Sequence, residues 1–280
     1  MRIKLKTATK ILIIVCFIGL SLLLYPTVSN YLNEKNSTRA ISTYVEEMDN
    51  YDEEQFKEVW NNAIIYNSDL AKQENVFLLS EEMISRYKEN LNITGTGIMG
   101  YIEIPKLDVS LPVYHGTSDS VLQRAIGHLD WTSLPVGGES THCVVSGHRG
   151  LPSAKLFTDL DKLREGDTFV LMVLDTKLTY EVDQIRTVLP DEVDDLRIFY
   201  GKDYCTLVTC TPYGINTHRL LVRGHRIESV IGEAHVVSEA VIIDELIVAS
   251  IVAFPILFIL FMAVMFKKPE KKPENNLKSL

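Results

Sequence analysis

Thr206-Leu207-Val208-Thr209-Cys210-Thr211-Pro212-Tyr213-Gly214, then Asn216-Thr217-His218-Arg219-Leu220-Leu221-Val222-Arg223-Gly224-His225-Arg226, is the stretch that decides the fold. A β-branched run breaks at a Pro-Gly turn and returns as a second run, the pattern of two neighbouring strands. Cys210 ends the first run, at a strand mouth where a side chain can meet a ligand. Arg219 lies on the returning run and can hold charge developing on a reacting carbonyl oxygen. Strand alternation sends His218 and Arg219 to opposite faces, but Arg219 and Arg223 share a parity, so alternation alone does not choose between them. The alternative reading makes Cys210 a buried small hydrophobe and Arg219 a solvated strand residue.

Working outward, Ile98 to Arg226 is a series of short β-branched runs punctuated by Gly and Pro. Strands are expected at 98–104, 109–114, 141–146, 168–174, 177–188, 204–210 and 219–227. Short helices are expected at 121–126 and 154–165. This predicts a mainly β domain, a barrel or sandwich. Residues 29–94 read as helical instead: Asp52-Glu53-Glu54-Gln55 is a capping box, and Phe56, Val59, Trp60, Ala63 and Ile64 follow at helical spacing.

An acid–base partner for Cys210 has seven candidates: His115, His128, His142, His148, His218, His225 and His235. His148 stands out because Ser146-Gly147-His148-Arg149-Gly150 ends the apolar run Cys143-Val144-Val145, a strand end much like that of Cys210. Of the other cysteines, Cys143 and Cys205 sit in expected strands and read as two buried thiols, a disulfide being the alternative. Cys16 falls in an apolar segment. No Cys-x-x-Cys and no His/Cys cluster at zinc spacing occurs, so neither metal nor other cofactor is expected.

The ends are of another kind. Among 280 residues with net charge −9, the first ten carry +4 and the last fourteen +3, which leaves −16 to those between. So acidic a body argues against nucleic acid as a partner. Residues 11–28 are almost wholly apolar and span about 27 Å as a helix, enough for a bilayer core. They read as an uncleaved anchor, with a cleaved signal peptide as the alternative. Residues 246–266 carry no charge and precede Lys267-Lys268, a second expected span. Both basic flanks, 1–10 and 267–280, lie outward of their spans and predict cytoplasmic termini, with 29–245 extracytoplasmic and 229–245 a linker.

Residues 206–226 resemble the signature of class C, pilus-assembling sortases. Met99–Lys106, Leu111–Gly116, Leu134–Gly138 and Ser146–Ser153 are similar to the same class, so that the resemblance covers about 95–228. It implies a sortase-type β-barrel catalytic domain with Cys210 as nucleophile, His148 as acid–base and Arg219 as the cation for oxyanion or substrate. The implied reaction cleaves an LPxTG-like sorting signal on a pilin or surface protein through a thioester. The acyl group then passes to an amine, a pilin Lys or a peptidoglycan precursor. A wall-anchoring sortase and a non-catalytic pilin-binding scaffold are the competing readings. A span with a basic tail also ends the cargo of such enzymes, but 236–245 contains no sorting signal, so the chain reads as a membrane resident. One feature departs from the class: 66–94 lacks the Asp-Pro-aromatic motif of its lid, and Asn75–Leu79 is the nearest aromatic-bearing stretch.

Overall fold

A computed structural model describes residues 7–228. The linker 229–245, the second apolar segment 246–266 and the tail 267–280 lie outside the described residues. Helix α1, Thr7–Met48, contains Pro26, and the chain divides into two units at Val28 and Ser29 within it. Residues 7–28 belong to the first unit, and the apolar window that begins in them is long enough to cross a membrane.

The second unit is built on a closed eight-stranded barrel. Its strands are β1 (Ile98–Ile104), β2 (Val109–His115), β3 (Ile126–His128), β4 (Thr141–Ser146), β5 (Thr168–Val173), β6 (Thr176–Val188), β7 (Asp203–Thr211) and β8 (His218–Ile227). Around the barrel they run β1-β2-β3-β4-β7-β8-β6-β5, and β5 closes on β1. Two neighbouring pairs are parallel, β2 with β3 and β4 with β7. The interior is filled by alternate residues of every strand, among them Ile102, Val113, Val145, Leu171, Tyr180, Leu207 and Val222.

Seven strands lie where the sequence predicts them; β3 does not. The segment expected as a helix over 121–126 is a single turn, α4 (Asp119–Leu122), and Ile126 begins β3. The helix expected over 154–165 is replaced by turns and one 3-10 turn at Leu160–Lys162. Leu156 adopts a left-handed φ of 40°, and the Phe157 amide donates to the His148 carbonyl at 3.2 Å, outside any helical ladder. Ala154, Leu156, Phe157, Leu160 and Leu163 are all buried, so the segment is used to pack against the barrel.

Helices clothe the outside. The expected capping box forms: the Gln55 amide donates to Asp52 Oδ1 at 2.8 Å, the Asp52 amide to Gln55 Oε1 at 2.9 Å, and α2 runs Glu53–Leu70. Buried Asn67 on α2 both accepts from the Leu134 amide (2.7 Å) and donates to its carbonyl (3.0 Å), an amide standing in for a strand neighbour. The C-terminal part of α1 covers β1 and β2, burying Ile41 and Tyr44 against Ile98, Tyr101 and Tyr114. Helix α3, Glu81–Glu89, is capped by Ser80. In the connection from α2 to α3, the Phe77 ring packs on Trp131 at 4.9 Å.

Candidate active site

Register decides what meets at the mouth of the barrel. On the antiparallel pair β7–β8, Cys210 lies directly opposite Arg219. On the parallel pair β4–β7, Ser146 aligns with Val208. The alignment continues past β4: the Gly147 amide donates to the Val208 carbonyl (3.1 Å), and the Thr209 hydroxyl donates to the Gly147 carbonyl (2.7 Å). Carried one residue further, that line would bring His148 level with Cys210. Cys210 therefore sits between the strand bearing Arg219 and the strand leading to His148.

Their face is the outer one. Cys205 and Leu207 point into the barrel core, whereas Val208 packs with Val144, Val188, Leu196 and Leu221 in a separate apolar layer. Cys210 shares the parity of Val208, and Arg219 that of Leu221, while His148 follows the end of β4. The β6–β7 connection, through Leu196, roofs part of this layer, and Leu129 and Trp131 flank it. Cys210 is a free, half-buried thiol at the uncovered end. Arg219 Nη1 donates to the carbonyls of His218 (3.1 Å) and Asn216 (3.3 Å), which holds the guanidinium at the base of the β7–β8 turn.

Gly147 permits the close packing behind this corner. A Cβ there would lie 2.5 Å from Ile126 Cδ1 and 2.9 Å from the Phe157 ring. Beyond His148, Gly150 takes a φ of 74°, and a Cβ there would lie 3.0 Å from the Tyr213 ring. Both glycines are required by geometry.

The remaining histidines have other occupations. His128 is buried between the Tyr87 hydroxyl (3.0 Å) and the Ser133 carbonyl (2.8 Å). His115 bridges the Gly97 and Asn90 carbonyls. His218 pairs across from Thr211 on the face opposite Arg219, and His225 lies at the far end of β8, opposite Tyr204. His235 lies outside the described residues.

His142 holds the roof of the apolar layer. Its Nδ1 is 2.7 Å from the Arg197 carbonyl, in the β6–β7 connection, and its Nε2 is 2.7 Å from Thr206 Oγ1. A carbonyl only accepts, so Nδ1 carries the hydrogen, Nε2 is the acceptor, and the Thr206 hydroxyl donates. Burial drives its pKa down from 6.5 to about 4.

Arg223, left level with Arg219 by parity, is committed elsewhere. It forms a two-pronged ion pair with Asp183 (2.9 and 3.0 Å) and lies over the Tyr204 ring, 4.2 Å from its centroid. Cys143 and Cys205 are cross-strand partners inside the barrel, both buried and both free thiols. Burial opposes an anion on either sulfur and pushes the Cys205 thiol well above its ordinary value. Among the described residues no group of three or more His, Cys, Asp or Glu gathers at metal-binding distance.

Sequence reasoning missed the roof, the apolar layer and Arg149. The guanidinium of Arg149 is nearly buried, ion-paired with Asp161 and bonded to the Thr211 hydroxyl. Its only signal was its position directly after His148.

Comparison with known proteins bears on the same region. The family model for the sortase domain matches residues 102–227. The crystal structure of sortase C1 from Streptococcus agalactiae is 53% identical, covers 69% of this chain and 100% of its own, and superposes with a TM-score of 0.67. Sortase C from Clostridium perfringens, solved with the C-terminal cell wall sorting motif, is 46% identical over 68% of this chain and 99% of its own, TM-score 0.60. Sortase D of Bacillus subtilis (strain 168) is 29% identical over 131 residues, 46% of this chain. That match spans 63% of the relative's length, under two-thirds.

Proposed function

This chain belongs to the sortase family, and from that premise we propose that it is a membrane-anchored cysteine transpeptidase of class C. It cleaves LPxTG-like sorting signals and joins pilin subunits by isopeptide bonds to Lys. The Cys210 sulfur attacks the Thr carbonyl carbon of the signal while its proton passes to His148. Arg219 faces the oxygen on which negative charge develops. Collapse of that adduct breaks the Thr–Gly bond, and His148 returns the proton to the departing Gly amine. The thioester left on Cys210 keeps the acyl group activated without ATP. A Lys amine of the next pilin then attacks it, gives its proton to His148, and leaves as the isopeptide with the thiol restored. Water in place of the amine would merely hydrolyse the signal.

The observation that carries this reading is the pairing of Cys210 with Arg219, on an outer face open to a polypeptide, with the strand leading to His148 on the other side. The apolar layer under the β6–β7 connection is the complement to the Leu and Pro of such a signal. The same reading takes 95–228 as the catalytic domain and 29–94 as its helical collar. It takes 11–28 and 246–266 as two spans, which leave the catalytic domain extracytoplasmic and the basic ends 1–10 and 267–280 in the cytoplasm.

The test incubates the full chain, in detergent or vesicles, with a pilin bearing an LPxTG signal and an acceptor Lys. Ladders that survive SDS are expected, and Cys210→Ala, His148→Ala and Arg219→Ala should each lose them, because groups acting as a unit fail together. Ladders untouched by Cys210→Ala would leave a binding scaffold as the reading. Transfer only to a peptidoglycan amine would favour wall anchoring.

A further inference from the structure

We infer that Arg149 is a positioning residue that fixes His148 relative to Cys210 by cross-linking the chain directly after each. The inference rests on the roles proposed above. Arg149 follows His148 in sequence, and Thr211 follows Cys210. Arg149 Nη1 donates to the Thr211 hydroxyl at 3.2 Å, so one side-chain bond ties together the residues next to the base and the nucleophile. The backbone ladder between β4 and β7 has ended by then: Thr209 to Gly147 is the last contact that joins the two strands ahead of this bond. The Arg149–Thr211 bond carries the tie between the corner that bears His148 and the strand that bears Cys210 two residues beyond those Gly147 bonds.

The guanidinium is itself fixed. Nη2 forms an ion pair with Asp161, in the 3-10 turn, and the group lies over the Tyr213 ring at 5.9 Å, with only 9% of the side chain exposed. Asp161 thus anchors the link to the segment that packs under the corner, where the Phe157 amide bonds the His148 carbonyl and the Thr158 hydroxyl accepts from the Gly150 amide at 3.1 Å. A planar, forked cation can reach a carboxylate, a hydroxyl and an aromatic face at once; an ammonium cannot. The partners of the guanidinium, Asp161, Thr211 and the Tyr213 ring, all belong to the corner and strand end that carry the reacting pair, so its effect is expected on their geometry and not on binding.

The experiment measures steady-state kcat and KM for a fluorogenic sorting-signal peptide on the full detergent-solubilised chain. Arg149→Met is expected to lower kcat about 100-fold with KM little changed, the scale of a misplacement of about 1 Å in a reacting pair. Thr211→Val removes only the hydroxyl and should lower kcat about tenfold, and Thr211→Ser, which restores it, should recover most of that loss. A fold defect in Arg149→Met, seen by circular dichroism, leaves the Thr211 pair to decide. Equal kcat for Thr211→Val and Thr211→Ser, or a rise in KM at constant kcat, overturns the inference. Cys210→Ala runs alongside. If it still turns over peptide, the reading of the site fails; if it is dead while Arg149→Met and Thr211→Val keep full kcat, only the positioning role fails.

Discussion

Acidification should loosen the roof of the apolar layer through one residue, His142. Its ring is buried and bonded on both sides, by Nδ1 to the Arg197 carbonyl and by Nε2 to the Thr206 hydroxyl. The groups facing it are Arg223 on β8, which opposes a second positive charge, and Asp183 and Asp195, which favour one; burial outweighs them all. The folded pKa is about 4, against an ordinary value of 6.5. Between those values an unfolded chain takes up a proton that the folded chain excludes, so folding is disfavoured as pH falls. The stabilising effect is complete above about pH 6.5 and is lost through pH 4, and the gap corresponds to about 3 kcal/mol.

His142→Leu removes the titrating group at similar volume. At pH 7 it costs stability, because the Arg197 carbonyl and the Thr206 hydroxyl lose their partner, about 1–3 kcal/mol. At pH 4.5 most of that cost disappears, since the parent has by then surrendered what the neutral ring contributes. Urea unfolding of the detergent-solubilised chain, followed by circular dichroism from pH 4.5 to 7.5, gives both curves. The parent should fall more steeply than the variant, and the two should converge on the acid side. Parallel curves would refute the buried neutral histidine and the donor assignment drawn from it.

Three further outcomes follow from packing and access. Gly147→Ala places a methyl within 3 Å of two fully buried side chains, Ile126 and Phe157, and should lower stability by about 1–3 kcal/mol in urea and depress kcat with it, as the strain moves the neighbouring His148. Tyr44→Phe strips the hydroxyl that donates to the Met99 carbonyl (3.1 Å) and accepts from the Leu174 amide (2.8 Å); two buried backbone groups are orphaned, and the urea midpoint should fall by the equivalent of about 1–3 kcal/mol with kcat unaffected. Among the three barrel cysteines, brief iodoacetamide treatment followed by mass mapping should label Cys210, with Cys143 and Cys205 labelled only in urea; early labelling of either buried thiol counts against the inward-facing pair.

How much was legible in the chain depends on distance along it. Runs such as Thr141–Ser146 and Asp203–Thr211 announce themselves by β-branching and by flanking Gly, Pro and Asp. Ile126-Gly127-His128 has no such signal. It is a strand only because β2 and β4 lie on either side of it, and those pairings are tertiary. Over 154–165 the apolar spacing suits a helix and a folded cap equally, and the decision falls to Leu156 and to the bond from Phe157 to a carbonyl nine residues earlier. Cys210 and Arg219 were readable as residues at a strand mouth. Preferring Arg219 to Arg223 from the chain alone needed the β7–β8 register, which places Thr206 and not Cys210 opposite Arg223. His148 needed the parallel β4–β7 pairing, made across some sixty residues, and no local pattern encodes that.

The outer placement of the site follows from the barrel itself. Its interior is occupied by side chains such as the stacked Phe169 and Tyr180 and the thiol pair Cys143 and Cys205, so no ligand can enter it. A reactive side chain at a strand end therefore has only the outer face on which to meet a substrate. For the proposed reaction that is also what the chemistry requires. Two polypeptides must reach one sulfur in turn, the first along the apolar layer and the second at an acyl group already bound, and a closed pocket would hold the first and exclude the second. The uncovered end beyond Val208, bordered by the exposed Tyr213 and Ile215 of the β7–β8 turn, leaves that second approach open. In the proposed reaction, shielding of the acyl group would fall to the walls of the layer, among them the β6–β7 connection that His142 holds down. The stability of that connection in acid and the partition between transfer and hydrolysis are for this reason one physical question, since a roof that lifts lets water reach the same carbon that the amine must attack.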